Sequence, residues 1–368
     1  MRAAVLHGRA DLRVEEVPVP VPGPGEVLLE VGTVGLCGTD ASEFANGPKM
    51  FPVHARNPVT GHLGPMVIGH EFGGRVVELG EGVDDSWLGR AVASCGAVSC
   101  GVCWHCARGR TNLCTSYAGV GLHRSGALAE FVATPADSIT AVDVLGLTPD
   151  AAALGQPMSI AVHARGRGRV AAGERVVILG VGGIGAFLVY AIRATGCEIV
   201  AVDASTERLD LARRLGAQEA LLAQTTGEKE VLEALGGPPH VVFEASGRSD
   251  ALALAWGLLP AGGRLVPVGL QGAHRELDLR RLTLTELEII GTNAMVRGAD
   301  FDTALSLVAS RAEGWGDVAP RVMRLEDVAE RGLAAIAAGQ AGAVKLLVDP
   351  RTTSDRDAMT RPTTGRAD

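Results

Sequence analysis

Apolar positions fall into three regimes along the chain. Over residues 1–35 they come in short runs bounded by Pro and Gly, Ala3 to Leu6, Leu12 to Val17 and Glu26 to Val34, which predict β-strands. The intervening Pro18-Val19-Pro20-Val21-Pro22-Gly23-Pro24-Gly25 cannot enter a central strand, because proline lacks the donor, and reads as a rigid surface connector. Strand-like runs return at Gly74 to Gly80, Ala91 to Ala93 and Ala127 to Ala133, either side of tight turns. Residues 45–66 are a long polar, Gly/Pro-rich loop, which is functional or disordered inside a compact domain. From Asp150 to Val170 the chain turns Ala-rich and helical, with a Gln156-Pro157 step.

The second regime alternates. Glu174 to Leu179 is an apolar run suited to a strand buried on both faces. Ala186 to Thr195 predicts a helix, Glu198 to Val202 a strand and Glu207 to Leu215 a helix with Leu209, Ala212 and Leu215 on one face. His240 to Ala245, Arg264 to Val268 and Leu287 to Ile290 read as further strands, and Ala251 to Leu259 as a helix. Such alternation implies a parallel, doubly wound sheet with right-handed crossovers. From Gly298 the pattern changes again: Phe301 to Ser310 and Leu325 to Ala338 predict helices, and Ala343 to Val348 a last strand that most easily returns to the first domain. The expected organisation is a β-rich domain over 1–155, a doubly wound α/β domain over 156–297, a return segment over 298–350 and a polar, disordered tail over 351–368.

Composition narrows the class. The 47% hydrophobic and 21% charged content describes a soluble globular chain, and 368 residues suggest two domains. A net charge of −8 argues against a nucleic-acid surface. No apolar run approaches the length of about 20 residues that spans a membrane, and Met1 to Leu6 leads into strand-like sequence without a signal-peptide pattern. The expected compartment is the cytoplasm, where seven cysteines read as metal ligands or buried thiols rather than disulfides.

Candidate chemistry sits at the ends of these runs. Gly35-Leu36-Cys37-Gly38-Thr39-Asp40 and Gly69-His70-Glu71 together offer a thiolate, an imidazole and a carboxylate, the three ligand types zinc accepts. Singly, Cys37 reads as a small buried hydrophobe, His70 as a core histidine and Glu71 as a surface charge; the combination, among flanking glycines, points to a metal. Thr39 places a hydroxyl two residues from Cys37, suited to passing a proton. Cys100, Cys103, Cys106 and Cys114 have the spacing of a tetrahedral structural zinc site in a tight loop. Cys95 and Cys197 fall outside that spacing and read as structural thiols, and His54 and His62 as loop histidines, or as part of a lid over the metal.

Gly180-Val181-Gly182-Gly183-Ile184-Gly185 follows a strand, opens a helix, and is followed by a second strand ending in Asp203. In that context the glycines are a dinucleotide fingerprint: Gly180 for the turn, Gly182 for approach of the pyrophosphate and Gly185 for helix–strand packing. The phosphates would lie at a helix N-terminus. Asp203 either caps a helix or accepts the ribose hydroxyls of NAD and repels the 2′-phosphate of NADP; its strand-end position, with Ala204-Ser205 and no arginine directly after it, favours NAD.

These motifs, in this order over residues 1–349, resemble the zinc-dependent medium-chain alcohol dehydrogenases. The loop with Asn57-Pro58-Val59-Thr60-Gly61 before Gly69-His70-Glu71 looks most like the 2,3-butanediol dehydrogenase branch, with sorbitol and threonine dehydrogenases as near relatives. The resemblance implies a GroES-like catalytic domain, a Rossmann domain, two zincs per chain and a homodimer or homotetramer. Cys37, His70 and Glu71 would bind or border the catalytic zinc, Thr39 would open the proton relay, and the four clustered cysteines would hold the second zinc. Two positions depart from the pattern. Ser42 stands where the sorbitol and butanediol branches usually have histidine, and Gln156-Pro157 where the family has Glu-Pro. Gln156 either reaches the metal through its amide oxygen, bringing no charge, or packs at the domain boundary. The implied activity is reversible oxidation of a secondary alcohol of the diol, polyol or cyclitol class with NAD. A zinc-independent quinone or enoyl reductase of the same fold, or a non-catalytic NAD-binding protein, are the alternatives.

Overall fold

The computed structural model of the chain describes residues 1–361. It divides into two compact units, one of Met1–Ser159 together with the return segment from Met295, the other of Ile160–Ala294. The chain passes from one unit to the other after Ser159 and returns at Met295.

In the first unit the runs bounded by Pro and Gly become strands. β1 (Arg2–Gly8), β2 (Asp11–Glu16) and β3 (Glu26–Gly35) are followed by helix α1 (Gly38–Asn46) and by β4 (Met66–Val67), β5 (Glu71–Leu79) and β6 (Ala91–Ser94). Then come β7 (Ala97–Val98), β8 (Ala118–Gly119), β9 (Phe131–Pro135), β10 (Ile139–Ala141), α2 (Pro149–Ala152) and α3 (Gly155–Arg167). β2, β1 and β4 form a small sheet, and β7 pairs with β8. The larger sheet runs β10-β6-β5-β3 and continues through three strands of the return segment, with β9 also on β3. Its core is aliphatic: Val27, Leu29, Val31 and Val34 of β3 are wholly buried, each burial stabilising the fold by roughly 1.5–3 kcal/mol relative to exposure.

The second unit carries β11 (Arg175–Leu179), α4 (Gly185–Arg193), β12 (Glu198–Asp203), α5 (Thr206–Leu215), β13 (Glu219–Leu222), α6 (Glu228–Ala234) and β14 (Val241–Glu244). It ends with α7 (Ser249–Leu258), β15 (Arg264–Pro267), α8 (Leu279–Leu284) and β16 (Glu288–Ile289). The strands are all parallel, in the order β13-β12-β11-β14-β15-β16. This is the Rossmann order, with the strand sequence reversing at β11. Val176 to Leu179 and Val241 to Phe243 are buried, as a sheet covered on both faces requires.

The return segment supplies α9 (Ala299–Ala309), β17 (Arg321–Arg324), β18 (Leu347–Asp349) and β19 (Arg356–Asp357). Two sequence expectations change here. The helix expected over Leu325 to Ala338 is wound as a π-helix over Val328–Ala334, with α-geometry only at Ala335–Ala337. A side chain at Gly332 would come within 2.6 Å of Leu36, so the wide turn packs directly on the stretch preceding Cys37. The expected disordered tail is ordered over 351–361. β19 pairs antiparallel with β17, and Asp150, only 1% exposed, accepts hydrogen bonds from both terminal nitrogens of Arg356 (2.7 and 2.9 Å) and from the Met359 N–H (2.7 Å). Thr360 accepts from the N–H of the buried Trp315. Polar composition misleads here because the segment is held by polar groups of the unit rather than by an apolar stripe. The rest of the expected tail, 362–368, lies outside the described residues. Among the described residues no helix is long and apolar enough to cross a membrane.

Candidate metal centre and cofactor site

Strand register assembles the first metal cluster. β3 and β5 are antiparallel neighbours with Gly35 opposite Glu71, and Leu347 of β18 lies opposite Gly35 on the other side. The end of β3, the start of β5 and the start of β18 therefore meet at one place. Cys37 follows β3 as the N-cap of α1, and His70 directly precedes β5. Ligand atoms of Cys37, His70 and Glu71 all lie within 4.8 Å of one another. His70 and Glu71 are buried. Gly35 is required by this approach, since a Cβ there would sit 2.4 Å from Glu71 Oε2.

Two further side chains complete the cluster, neither given a role by the sequence reading. Asp40, fully buried, accepts a hydrogen bond from the Cys37 N–H at 3.1 Å and faces His70 Nδ1 at 3.3 Å with its other oxygen. It ties two candidate ligands together and orients the imidazole, as an outer carboxylate does for metal-bound histidine. The acidic residue three positions after the N-cap is the visible signal for the first of these bonds. Lys345, 3% exposed, lies 2.6 Å from both oxygens of Glu71 and donates to Oε1 and, at 3.1 Å, to the Leu36 carbonyl. A lysine in an apolar run, in a chain with only three lysines, was the signal for it.

The electrostatics fit a divalent cation. With Cys37 as thiolate, three anions (Cys37, Asp40, Glu71) face one buried ammonium, so a divalent ion brings the cluster to neutrality. Asp40 Oδ1, His70 Nδ1 and Glu71 Oε2 are buried without an aligned hydrogen-bond partner, a costly arrangement when nothing else is bound. Burial opposes a charge on His70, but Asp40 and then Cys37 outweigh it and hold its pKa well above the usual histidine range. A metal on the ring would displace that proton. Burial likewise opposes the Lys345 charge, while Glu71, Cys37 and Asp40 raise its pKa above the ordinary lysine value.

Thr39 lies half-buried in the first turn of α1. Ser42 is exposed one turn on. Gln156 is 9% exposed in the first turn of α3. The loop after α1 is anchored by Glu43, one oxygen of which accepts the N–H groups of Lys49, Met50 and Phe51. His54 is exposed and His62 half-buried on it.

The second cluster is the cysteine lobe. Sulfur atoms of Cys100, Cys103, Cys106 and Cys114 lie within 4.8 Å of one another. Backbone N–H groups point at them: Cys103 N–H at Cys100 Sγ (3.4 Å), and Cys100 and Ser116 N–H at Cys114 Sγ (3.3 Å each). The N–H groups of Cys106 and Thr115 bring the Cys103 thiol down to about 5, favouring the thiolate that zinc requires. Four sulfurs at this spacing fit a closed, structural site. Cys95 and Cys197 are buried away from it; burial pushes the Cys95 thiol up to about 11.

In the second unit the glycine loop joins β11 to α4. Gly180 has φ +96°, and a Cβ on Gly185 would lie 1.8 Å from the Gly180 carbonyl. A cavity of about 360 Å³ opens beside it, lined by Gly180, Gly182, Asp203, Arg208 and Arg248 among others. Asp203 is not the helix cap; Ser205 is. The two Asp203 oxygens instead accept the N–H groups of Val181 (2.7 Å) and Ser205 (3.0 Å), joining strand end to glycine loop. An arginine is nearby after all, Arg208 at 3.9 Å from Asp203, one helical turn into α5 where the sequence immediately after Asp203 does not reveal it. Gly183 and Ile184 complete the turn into α4.

Comparison with known proteins agrees with both units. The family profile described as "Alcohol dehydrogenase GroES-like domain" matches residues 23–144, and "Zinc-binding dehydrogenase" matches 183–310. The chain is 32% identical to a sorbitol dehydrogenase of Bombyx mori over 84% of its length and 88% of the relative's. It is 34% identical to an L-threonine 3-dehydrogenase of Saccharopolyspora erythraea over 79% and 83%. The solved 2R,3R-butanediol dehydrogenase from Bacillus subtilis superposes with a TM-score of 0.86 at 29% identity, covering 95% of this chain and 99% of that one. The chain belongs to the zinc-dependent medium-chain alcohol dehydrogenase family, with a GroES-like domain and a Rossmann domain. It is an NAD-dependent zinc oxidoreductase acting on an alcohol.

Proposed function

We propose that this enzyme interconverts a secondary alcohol of the diol, polyol or cyclitol class with its ketone, using Cys37, His70 and Glu71 as ligands of a catalytic zinc. The observation that carries the assignment is the buried convergence of a thiol, an imidazole and a carboxylate within 4.8 Å. Zinc held there supplies a Lewis acid for the substrate hydroxyl. Thr39, in the first turn of α1, takes the hydroxyl proton outward. Ser42 cannot act as a base as a histidine would, so the proton passes from Thr39 to water. Gln156 borders the site as a neutral amide and adds no negative charge. Asp40 and Lys345 hold His70 and Glu71 in place. Gly180, Gly182, Gly183, Ile184 and Gly185 cradle the pyrophosphate of NAD, and Asp203 accepts its ribose hydroxyls. Cys100, Cys103, Cys106 and Cys114 hold a structural zinc. On the same proposal the protein works in the cytoplasm as a homodimer or homotetramer.

Metal counting combined with a spectrophotometric screen tests the assignment. Diols, polyols and amino alcohols are offered with NAD and with NADP. The expected result is two zincs per chain, one for each cluster, with Cys37→Ala retaining only the structural zinc and losing turnover. A single zinc that survives Cys37→Ala, or turnover that persists after the catalytic metal is removed, refutes the assignment and favours a zinc-independent reductase on the same fold. NAD binding without turnover on any alcohol leaves a non-catalytic protein.

A further inference from the structure

Lys345 is the one buried ammonium in the metal cluster, and nothing about a strand-forming segment calls for it. The chain carries 34 basic residues, of which only Lys49, Lys229 and Lys345 are lysines; the other two are exposed, Lys229 beside Glu233 on α6 and Lys49 in the loop after α1. Lys345 is instead 3% exposed. Its position follows from topology: β18 docks beside β3, with Leu347 opposite Gly35, and this brings the preceding residues against the Cys37 stretch. The Leu36 N–H is held by the Leu346 carbonyl at 2.9 Å, while Lys345 Nζ returns a bond to the Leu36 carbonyl at 3.1 Å. Its other contact is the Glu71 carboxylate, at 2.6 Å, with aligned donation to Oε1 only. Oε2 remains buried and without an aligned donor. One fixed, buried cation thus lies 2.6 Å from both oxygens of this carboxylate.

We propose that Lys345 is a positioning residue that shares Glu71 with the catalytic metal, withholding part of the carboxylate's charge from the ion. This rests on the reading of Cys37, His70 and Glu71 as metal ligands. The physical consequence is counter-intuitive for a residue that stabilises the site. Lys345 and a divalent ion are like charges gathered around one carboxylate, in a buried place where screening is weak. Lys345 therefore weakens metal binding while keeping the loaded cluster neutral, and so keeps the metal electrophilic toward an alcohol. An ammonium suits this better than a guanidinium: it is a compact point charge, whereas arginine would grip the carboxylate with two parallel, directed bonds. The chain's preference for arginine elsewhere makes the lysine here a specific choice.

The sign of the effect separates this from a merely structural role. If Lys345 only braces the fold, removing its charge loosens the metal or leaves it unchanged. If it shares Glu71, removing its charge tightens the metal. The experiment uses the full-length protein, loaded with zinc or with cobalt(II). Lys345→Met removes charge and donor; Lys345→Gln removes the charge but retains a donor for Oε1 and serves if the methionine variant does not fold. Release of the catalytic metal to a chelator is expected to slow by about tenfold in both variants, the effect of removing roughly 1.4 kcal/mol of like-charge repulsion. The visible bands of the cobalt form should shift, because Glu71 then meets the ion with its full charge. Release that is unchanged or faster in a folded Lys345→Gln protein overturns the proposal, as does an unaltered cobalt spectrum. Failure of the underlying reading looks different: the wild-type protein would then take up metal only at the cysteine lobe, and Cys37→Ala would not alter the metal count.

Discussion

At the residue scale, the metal cluster shows what a linear motif conveys and what it leaves out. Cys37, His70 and Glu71 were legible because their chemical types are rare in combination, and strand register then placed them together. Asp40 and Lys345 were not legible in the same way. Asp40 belongs to the motif but acts on His70, 30 residues away in sequence, through a turn geometry that only the fold supplies. Lys345 sits 274 residues from Glu71, two residues before β18 in an apolar run that looks like any other. The proton that Asp40 and Cys37 hold on His70 has a testable consequence with opposite signs in the two metal states. In metal-free protein the His70 pKa is raised above its unfolded value. The stabilisation is therefore fully present below about pH 6.5 and is lost as pH rises through the folded pKa. With zinc bound, the same proton must leave, so zinc-linked stability rises with pH. Thermal melts of chelator-treated and zinc-loaded protein at pH 6 and pH 8 should show the gap between the two forms widening at the higher pH. A gap that narrows would show that His70 is not a ligand.

At the scale of elements, periodicity was a good guide wherever burial is two-sided or one face is apolar. β3, β11, α4 and β12 fall within a few residues of their expected bounds, since runs such as Val176 to Leu179 have no other way to be buried. β13, α6, α8 and β17 gave no comparable signal: they are short, half-exposed pieces at the margins of their sheets or on the surface, and tertiary pairing decides them. The strap formed by residues 351–361 is the clearest case. Its strength lies in Asp150, which receives the Thr33 hydroxyl, the Arg356 guanidinium and the Met359 N–H. Thr33 belongs to β3, four residues before Cys37, and Asp150 opens α2, so the strap clasps the two elements that lead into the candidate metal ligand Cys37 and into Gln156. Breaking a buried pair of this kind costs about 3–5 kcal/mol. Because the Arg356 side chain is 29% exposed, the loss in Asp150→Ala should be nearer about 2–3 kcal/mol once solvent screening is allowed for. The corresponding fall in Tm is roughly 5–10 °C. Arg356→Ala should cost less, since it leaves the Thr33 and Met359 bonds in place. Equal losses in the two variants, or none, would mean that Asp150 does not anchor the strap.

At the scale of the whole molecule, ligands and units coincide. Every residue of both metal clusters, with Asp40 and Lys345, belongs to the unit of Met1–Ser159 and its return segment, and every residue lining the nucleotide cavity belongs to Ile160–Ala294. Each unit has its own sheets and its own buried core. A ligand stabilises the conformation it binds, and the gain appears first in the segments whose opening would break its site. Amide exchange should therefore respond in two separate blocks. Chelation should accelerate exchange over 33–46, 66–72, 97–120 and 343–349, the segments that carry or brace the metal ligands, and leave 175–203 unchanged. NAD added to the metal-depleted protein should slow exchange in the loop after β11 and at the start of α4 while the metal-bearing segments stay fast. The converse outcome is equally readable. If chelation loosened β11 and β12 as much as β3 and β5, the metals would be holding both units in one cooperative structure, and the chain's two cores would not behave as separate units on unfolding.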